Sequence, residues 1–263
     1  MKLYACCQHC FPEVGMCPHK HWYPCMTCST PQVTEKERSF LSKYIVSYGG
    51  GVDSTAMIFK LVEDKAPLDY VVFADTGNEH PETYFFVNNY MKPYLESKNI
   101  PFTIVYPFKK RSLWSRCFQR KVIPDMLQRW CTRDVKVKPI HKFYKTLKSD
   151  IVQYMGIDYQ ESHRIKPSGQ DWITNSYPLV DNKMNRDDCV SLIESLGFPI
   201  PVKSGCFFCP YNNKARWVDI RDNYPALYKL SEMLADNNKH KNQKLIRLTE
   251  KDETNLCDGV CMT

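Results

Sequence analysis

Residues 46–55 read Val46-Ser47-Tyr48-Gly49-Gly50-Gly51-Val52-Asp53-Ser54-Thr55, three consecutive glycines between an apolar, β-prone run and a helix-patterned segment. Glycine lets a backbone approach an anion and turn its N–H groups inward, and the N-terminus of the following helix adds a partial positive charge. In an α/β protein a strand-to-helix turn of this kind is where a phosphate is held. The stretch therefore points to nucleotide chemistry. No Gly-Lys-Ser/Thr follows at the Walker spacing, and the glycines are contiguous rather than spaced as G-x-G-x-x-G, so neither of those two phosphate motifs describes it.

Outward from the loop, Tyr44 to Tyr48 reads as a strand, and Thr55 to Val62 carries the dense apolar face of a buried helix. Leu68 to Ala74 has the continuous hydrophobicity of a strand covered on both faces and ends at Asp75-Thr76-Gly77. Pro81 to Lys98 reads as a helix with Pro81 in its first turn, while the internal Pro93 is expected to kink or end it early. Phe102 to Tyr106 and Ile151 to Ile157 are the third and fourth strands. Strands alternating with helices at this spacing predict an α/β fold with a Rossmann-like, mostly parallel sheet. Ligands bind such sheets beyond the carboxyl ends of the strands, where both the glycine loop and Asp75-Thr76-Gly77 fall. Further on, Arg186 to Leu196 is a helix stopped by Gly197 and Pro199, Lys203 to Tyr211 is a cysteine-bearing turn, and Lys214 to Asn237 is helical with a break at Pro225. The expected organisation is a cysteine-rich appendage over 1–40, the nucleotide-binding domain over 41–180, and a helical segment with a CxxC pair over 181–263.

The chain has 263 residues, 43% of them hydrophobic, which suffices for one substantial core with an appendage. No apolar stretch approaches the ~18 residues of a spanning helix, which excludes an integral helical membrane protein. Cys6, Cys7, Cys10, Pro12 and Glu13 occupy the place where a signal peptide needs an uninterrupted apolar run, so the expected location is cytoplasmic. A net charge of +7 with 13% aromatics is compatible with a nucleic-acid partner, and equally with an ordinary basic enzyme.

Thirteen cysteines without an export signal point to metal or redox use rather than a disulfide framework. Two groups stand out. Cys7-x2-Cys10 and Cys25-x2-Cys28, with fourteen residues between the pairs, approach zinc-ribbon spacing and are expected to hold a structural Zn²⁺. Cys206-x2-Cys209 lies in a turn, where two thiolates can reach one metal, and Cys131 and Cys189 complete a set of four. Thiolates suit either an iron–sulfur cluster or zinc.

Gly49-Gly50-Gly51-Val52-Asp53-Ser54 resembles the PP-loop of the ATP pyrophosphatases, usually Ser-Gly-Gly-x-Asp-Ser, with Gly49 in place of the leading serine and a hydroxyl two residues earlier at Ser47. Phe73 to Thr83, Trp130 to Ile140, Gly156 to Arg164 and Ser204 to Tyr211 are similar to further blocks of the phosphoadenosine phosphosulfate (PAPS) reductase-like branch of that superfamily. The resemblance covers roughly residues 44–235. It implies an adenine-nucleotide site in which the backbone of 49–54, Val52 included, surrounds phosphates and Ser54 and Thr55 donate hydroxyls, with Thr76 beside Asp75 at the second strand end. Asp53 and Asp75 would repel a phosphate as bare anions, so Mg²⁺ bridging or an adenosine contact is expected of them. Arg133, Lys136, Lys138 and Arg164 are the implied charge stabilisers. Relatives with similarly distributed cysteines hold a 4Fe–4S cluster, which the resemblance favours over zinc at Cys131, Cys189, Cys206 and Cys209.

The resemblance implies ATP-dependent adenylation of a substrate with release of AMP and pyrophosphate, for sulfur transfer to or modification of a nucleic acid, tRNA or DNA, fed by a sulfur-donor protein. The alternative is a sulfonucleotide (PAPS) reductase with a thioredoxin-like reductant. Against it, Leu256-Cys257-Asp258-Gly259-Val260-Cys261 lacks the histidine of the reductase nucleophile segment, and Cys131 is followed by Thr132 rather than a second cysteine. A nucleotide-sensing module without turnover is the further alternative.

Overall fold

The computed structural model describes residues 42–107, 112–124 and 129–238, all within a compact unit that begins at Ser42. The cysteine pairs Cys7/Cys10 and Cys25/Cys28, Cys257 and Cys261 lie outside the described residues.

Five strands form the sheet: β1 (Lys43–Tyr48), β2 (Tyr70–Ala74), β3 (Phe102–Val105), β4 (Ile151–Met155) and β5 (Ile173–Ser176). Their order is β3-β2-β1-β4-β5 and every pairing is parallel, with Val46 opposite Val71 on one side and Tyr154 on the other. Helix α1 (Val52–Glu63) follows β1 directly. β5 was not foreseen from sequence, because Ile173 is its one buried residue and the polar Thr174, Asn175 and Ser176 carry no strand signal at a sheet edge.

Two helices run through internal prolines. In α2 the segments Pro81–Phe86, Val87–Met91 and Lys92–Ser97 are continuous, the middle one a π-turn in which Lys92 N–H donates to the Val87 carbonyl, five residues back. In α4 the π segment Thr132–Val137 leads into Lys138–Thr146, and Lys138 N–H donates to the Arg133 carbonyl. Each π-turn lies immediately before a Lys-Pro pair, Lys92-Pro93 and Lys138-Pro139. A proline lacks the N–H and its ring collides with the carbonyl four residues back, so a locally wider turn absorbs it. Of the kink or early end expected at Pro93, the early end does not occur: the helix read over Pro81 to Lys98 runs through to Ser97.

The sheet is covered on both faces. Val46, Tyr48, Val71 and Phe73 pack with Met57, Ile58 and Phe59 of α1, Phe86 and Met91 of α2, and Cys189 and Ile193 of α6 (Arg186–Ser195), which follows the short α5 (Pro178–Asp181). On the other face Ile45, Val72, Ala74, Ile151 and Ile173 meet Ile140 and Tyr144 of α4. Each buried Val, Ile, Phe or Met among them contributes about 1.5–3 kcal/mol. A third cluster joins Leu113 and Cys117 of α3 (Leu113–Arg120), Val135, Phe207, Phe208, Trp217 and Ile220 of α7 (Lys214–Asn223), and Leu234 of α8 (Pro225–Asp236). That cluster sits beside the carboxyl end of β2, tied there by the bridge between Glu79 and Cys206.

Candidate nucleotide site

The chain leaves β1 towards β2 on one side and returns to β4 on the other, so the sheet's switch point lies between the carboxyl ends of β1 and β4. Two glycine turns meet there. Gly51 is the N-cap of α1 and makes no side-chain capping bond, which leaves the first-turn amides directed out of the helix end. Gly50 has φ of +77°, and a Cβ added to it would fall 2.7 Å from Thr83 Cγ2. Gly156, just after β4, is packed so closely that an added Cβ would lie 2.7 Å from Ser54 Cα and 2.8 Å from Ser54 N. Backbone-only residues are thus required on both sides of the crevice.

The side chains of the loop divide. Ser54 Oγ donates to the Gly51 carbonyl at 3.1 Å, fastening the turn. Thr55 is turned into the core, its hydroxyl 3.1 Å from that of Tyr48, so it anchors α1 to β1 instead of facing the crevice. Ser47 shares the sheet face of Ile45, away from α1, because strand side chains alternate. Asp53 is drawn to Arg186 at the start of α6, at 2.7 Å. Burial pushes its carboxyl above the usual range against the pull of Arg186, with the charges of Asp158 and Glu161 adding to the rise. Asp75 accepts from Tyr84 Oη at 2.6 Å and from Gly77 N–H at 2.7 Å. The two carboxylates, of which Mg²⁺ bridging or an adenosine contact was expected, are each tied to a different helix.

Around the end of β2 lies a second, more buried group. Glu79 is 2% exposed, and its Oε1 accepts from the Thr76 hydroxyl at 3.1 Å and from Lys136 Nζ at 3.0 Å. Its Oε2 has no hydrogen-bond partner among the described residues. Because the Thr76 proton is spent on Glu79, the 3.3 Å contact between Thr76 Oγ1 and Cys206 Sγ has the thiol as donor. Burial alone would lower the Lys136 ammonium, but Glu79, Cys206 and Cys209 together hold it above its ordinary value. Arg133 and Arg164 are at the surface, paired with Asp134 and Glu161, and Lys138 also pairs with Asp134. Of the four implied charge stabilisers only Lys136 pairs with a buried carboxylate.

The cysteines sort by their electrostatic neighbours. Burial first raises the thiols of Cys117, Cys206 and Cys209; then Cys117 is raised by Cys131, Cys209 by Cys131, and Cys206 by Glu79 and Cys209. Cys189, pushed up to about 12, feels Asp53 and Asp158 instead and packs under α1. The structure therefore separates Cys189 from Cys131, Cys206 and Cys209 and brings Cys117 towards them. The four cysteines read from sequence do not fit one metal centre, and among the described residues no three His, Cys, Asp or Glu side chains converge on a metal position.

Sequence reasoning also missed Arg186, Glu79, Gly156 and Cys117 as members of these two groups. Arg186 lies 133 positions from Asp53, and no local pattern links them. Glu79 and Gly156 stood inside blocks of family resemblance without a role of their own.

A five-stranded parallel sheet of order 3-2-1-4-5 with an uncapped glycine turn at its switch point defines a Rossmann-like nucleotide-binding domain. Residues 43–169 match the family model of the phosphoadenosine phosphosulfate reductase domain. An uncharacterised protein of Methanocaldococcus jannaschii is 24% identical over 201 residues, which are 69% of this chain and 45% of that protein. The chain thus spans less than half the length of that relative. Among solved structures, phosphoadenylyl-sulfate reductase from Candida auris, in a phosphate complex, is similar at 18% identity and a TM-score of 0.46, over 61% of this chain and 76% of the other. The U34-tRNA thiolase NcsA from Methanococcus maripaludis, with its 4Fe–4S cluster, is similar at 16% identity and a TM-score of 0.45, over 79% of this chain and 75% of the other. No helix among the described residues is long and apolar enough to cross a membrane.

Proposed function

We propose that the chain binds ATP at the switch point and adenylates an acceptor, as a step in sulfur transfer to, or modification of, a nucleic acid. The observation that carries this reading is the triple-glycine turn at the uncapped N-terminus of α1, walled by Gly156 from β4. An acceptor oxygen attacks the α-phosphorus, the bond to the bridging oxygen breaks, and pyrophosphate leaves. A sulfur or other nucleophile then displaces AMP from the adenylated acceptor. First-turn amides of α1 stabilise the charge that grows on the phosphate during the attack. Mg²⁺ enters with the triphosphate and neutralises its charge. Arg186 holds the Asp53 carboxylate against α6, which limits its repulsion of the α-phosphate.

Incubation with labelled ATP, Mg²⁺ and tRNA or DNA acceptors is expected to yield AMP and pyrophosphate; ADP and phosphate would overturn the proposal. The matched family model favours a second reading, a sulfonucleotide reductase. That reading predicts sulfite release from PAPS with a thioredoxin-like reductant. Iron and zinc analysis of anaerobically purified protein tests the cluster, which this mechanism does not use.

A further inference from the structure

We infer that Ser204, carried on the cysteine-bearing turn 150 positions after Ser54, supplies the phosphate-facing hydroxyl that the glycine loop itself lacks. The inference rests on the ATP-binding reading above. Three observations support it.

First, the loop has no side chain of its own that fills this place. Position 49 is glycine, the Ser47 hydroxyl is on the other face of the sheet, Thr55 is bonded to Tyr48, and Ser54 is folded back onto the Gly51 carbonyl. Second, Ser204 stands over the turn. Its Oγ is 3.1 Å from where a Cβ on Gly51 would be and 3.9 Å from where one on Gly49 would be. No hydrogen bond to another described residue engages that hydroxyl, so it is available to a ligand oxygen. Third, the position is fixed by backbone pairing. His80 N–H donates to the Gly205 carbonyl and Phe207 N–H to the Asn78 carbonyl, both at 3.0 Å, and the turn is thereby zipped onto the end of β2. Arg216 adds a bond to the Lys203 carbonyl at 2.9 Å, holding the near side of the turn.

The same geometry says where a loop hydroxyl could be restored. At Gly51 an added Cβ would lie 3.1 Å from Ser204 Oγ and push that hydroxyl aside, and Gly50 is excluded by its φ of +77°. Gly49 has ordinary backbone angles and its nearest neighbours, the hydroxyls of Ser204 and Ser54, lie at van der Waals distance, both 3.9 Å. A serine at 49 therefore fits, and its hydroxyl enters the space that Ser204 faces. The two positions are alternative sources of one hydroxyl.

The test is a set of binding titrations of the full chain with Mg²⁺ and a non-hydrolysable α,β-methylene ATP analogue, on wild type, Ser204→Ala, Gly49→Ser, and the double variant. Ser204→Ala is expected to weaken binding about tenfold to a hundredfold, the worth of one hydrogen bond to a charged group. Its thermal midpoint without nucleotide should match wild type, because the hydroxyl makes no bond to another described residue. The double variant should regain most of the lost affinity. Wild-type affinity in Ser204→Ala overturns this inference and leaves the ATP site standing, as does a loss that Gly49→Ser fails to restore. Wild type that binds no nucleotide overturns both.

Discussion

The two ends of the site are built by opposite means. At the β1 and β4 ends the structure offers backbone: Gly49, Gly50, Gly51 and Gly156 clear a space in which amides do the work. At the β2 end it offers a polar cluster around buried Glu79, with Lys136, Thr76 and Cys206, assembled from three separate stretches of chain. The first kind of site tolerates a passing anion because its partial charges are fixed and need no counter-charge. The second has its charges already paired, so removing one member leaves the others stranded in low dielectric.

The glycine side breaks most severely. Gly156→Ala drives a methyl into the Ser54 backbone, which cannot rotate away as a side chain could, and should cost about 3 kcal/mol with loss of nucleotide binding. Chemical denaturation and a binding titration check both; a stable variant with normal affinity would show that the two turns are not in contact. Lys136→Met should cost about 2–3 kcal/mol, at the low end for a buried pair because the lysine side chain is 33% exposed while Glu79 is covered. Adding Glu79→Gln should return part of that loss. If the double variant is no more stable than Lys136→Met, the pair is not what holds the β2 end.

That contrast also governs what could be read from sequence. The strand run, the three glycines and the carboxyl-end placement of Asp75 are local patterns, so the fold class and the glycine turn between β1 and α1 were legible in advance. At Pro93 the sequence shows the helix over Pro81 to Lys98 and the missing N–H, but not the π-turn that accommodates it. The β2 cluster depends on residues such as Lys136 and Cys206 meeting across the fold, and spacing in sequence cannot report that meeting. Cys189 illustrates the limit. Its place among the cysteines suggested a ligand, whereas its neighbours are Asp53, Asp158 and the underside of α1.

A pH titration sharpens the comparison at the β2 end. His80 is fully buried at the start of α2, with Nδ1 accepting from Glu82 N–H at 3.3 Å and Nε2 3.2 Å from Asp219. Burial first, then the Arg216 charge, lowers its pKa to about 4, with Asp219 opposing; the Tyr224 ring meets it edge-on. A depressed folded-state value means that the unfolded chain takes up the proton first. Stability is therefore full above about pH 6.5 and falls as pH drops from there towards 4. His80→Gln should flatten this slope in denaturation curves measured across the window. An unchanged slope would place the proton uptake elsewhere.

Smallest is Cys189→Ser, which puts a hydroxyl into the apolar core between α1 and α6 and should cost about 1–2 kcal/mol. Iron and zinc content should not change. Loss of bound metal in this variant would return Cys189 to the thiol group from which the structure separates it.

Amide hydrogen exchange with and without the Mg²⁺–ATP analogue tests the phosphate cradle most directly. Protection on nucleotide binding should concentrate in the backbone of residues 49–54, at the first turn of α1. Protection that appears elsewhere, with the glycine turn exchanging as freely as before, would contradict the assignment of that turn as the phosphate site.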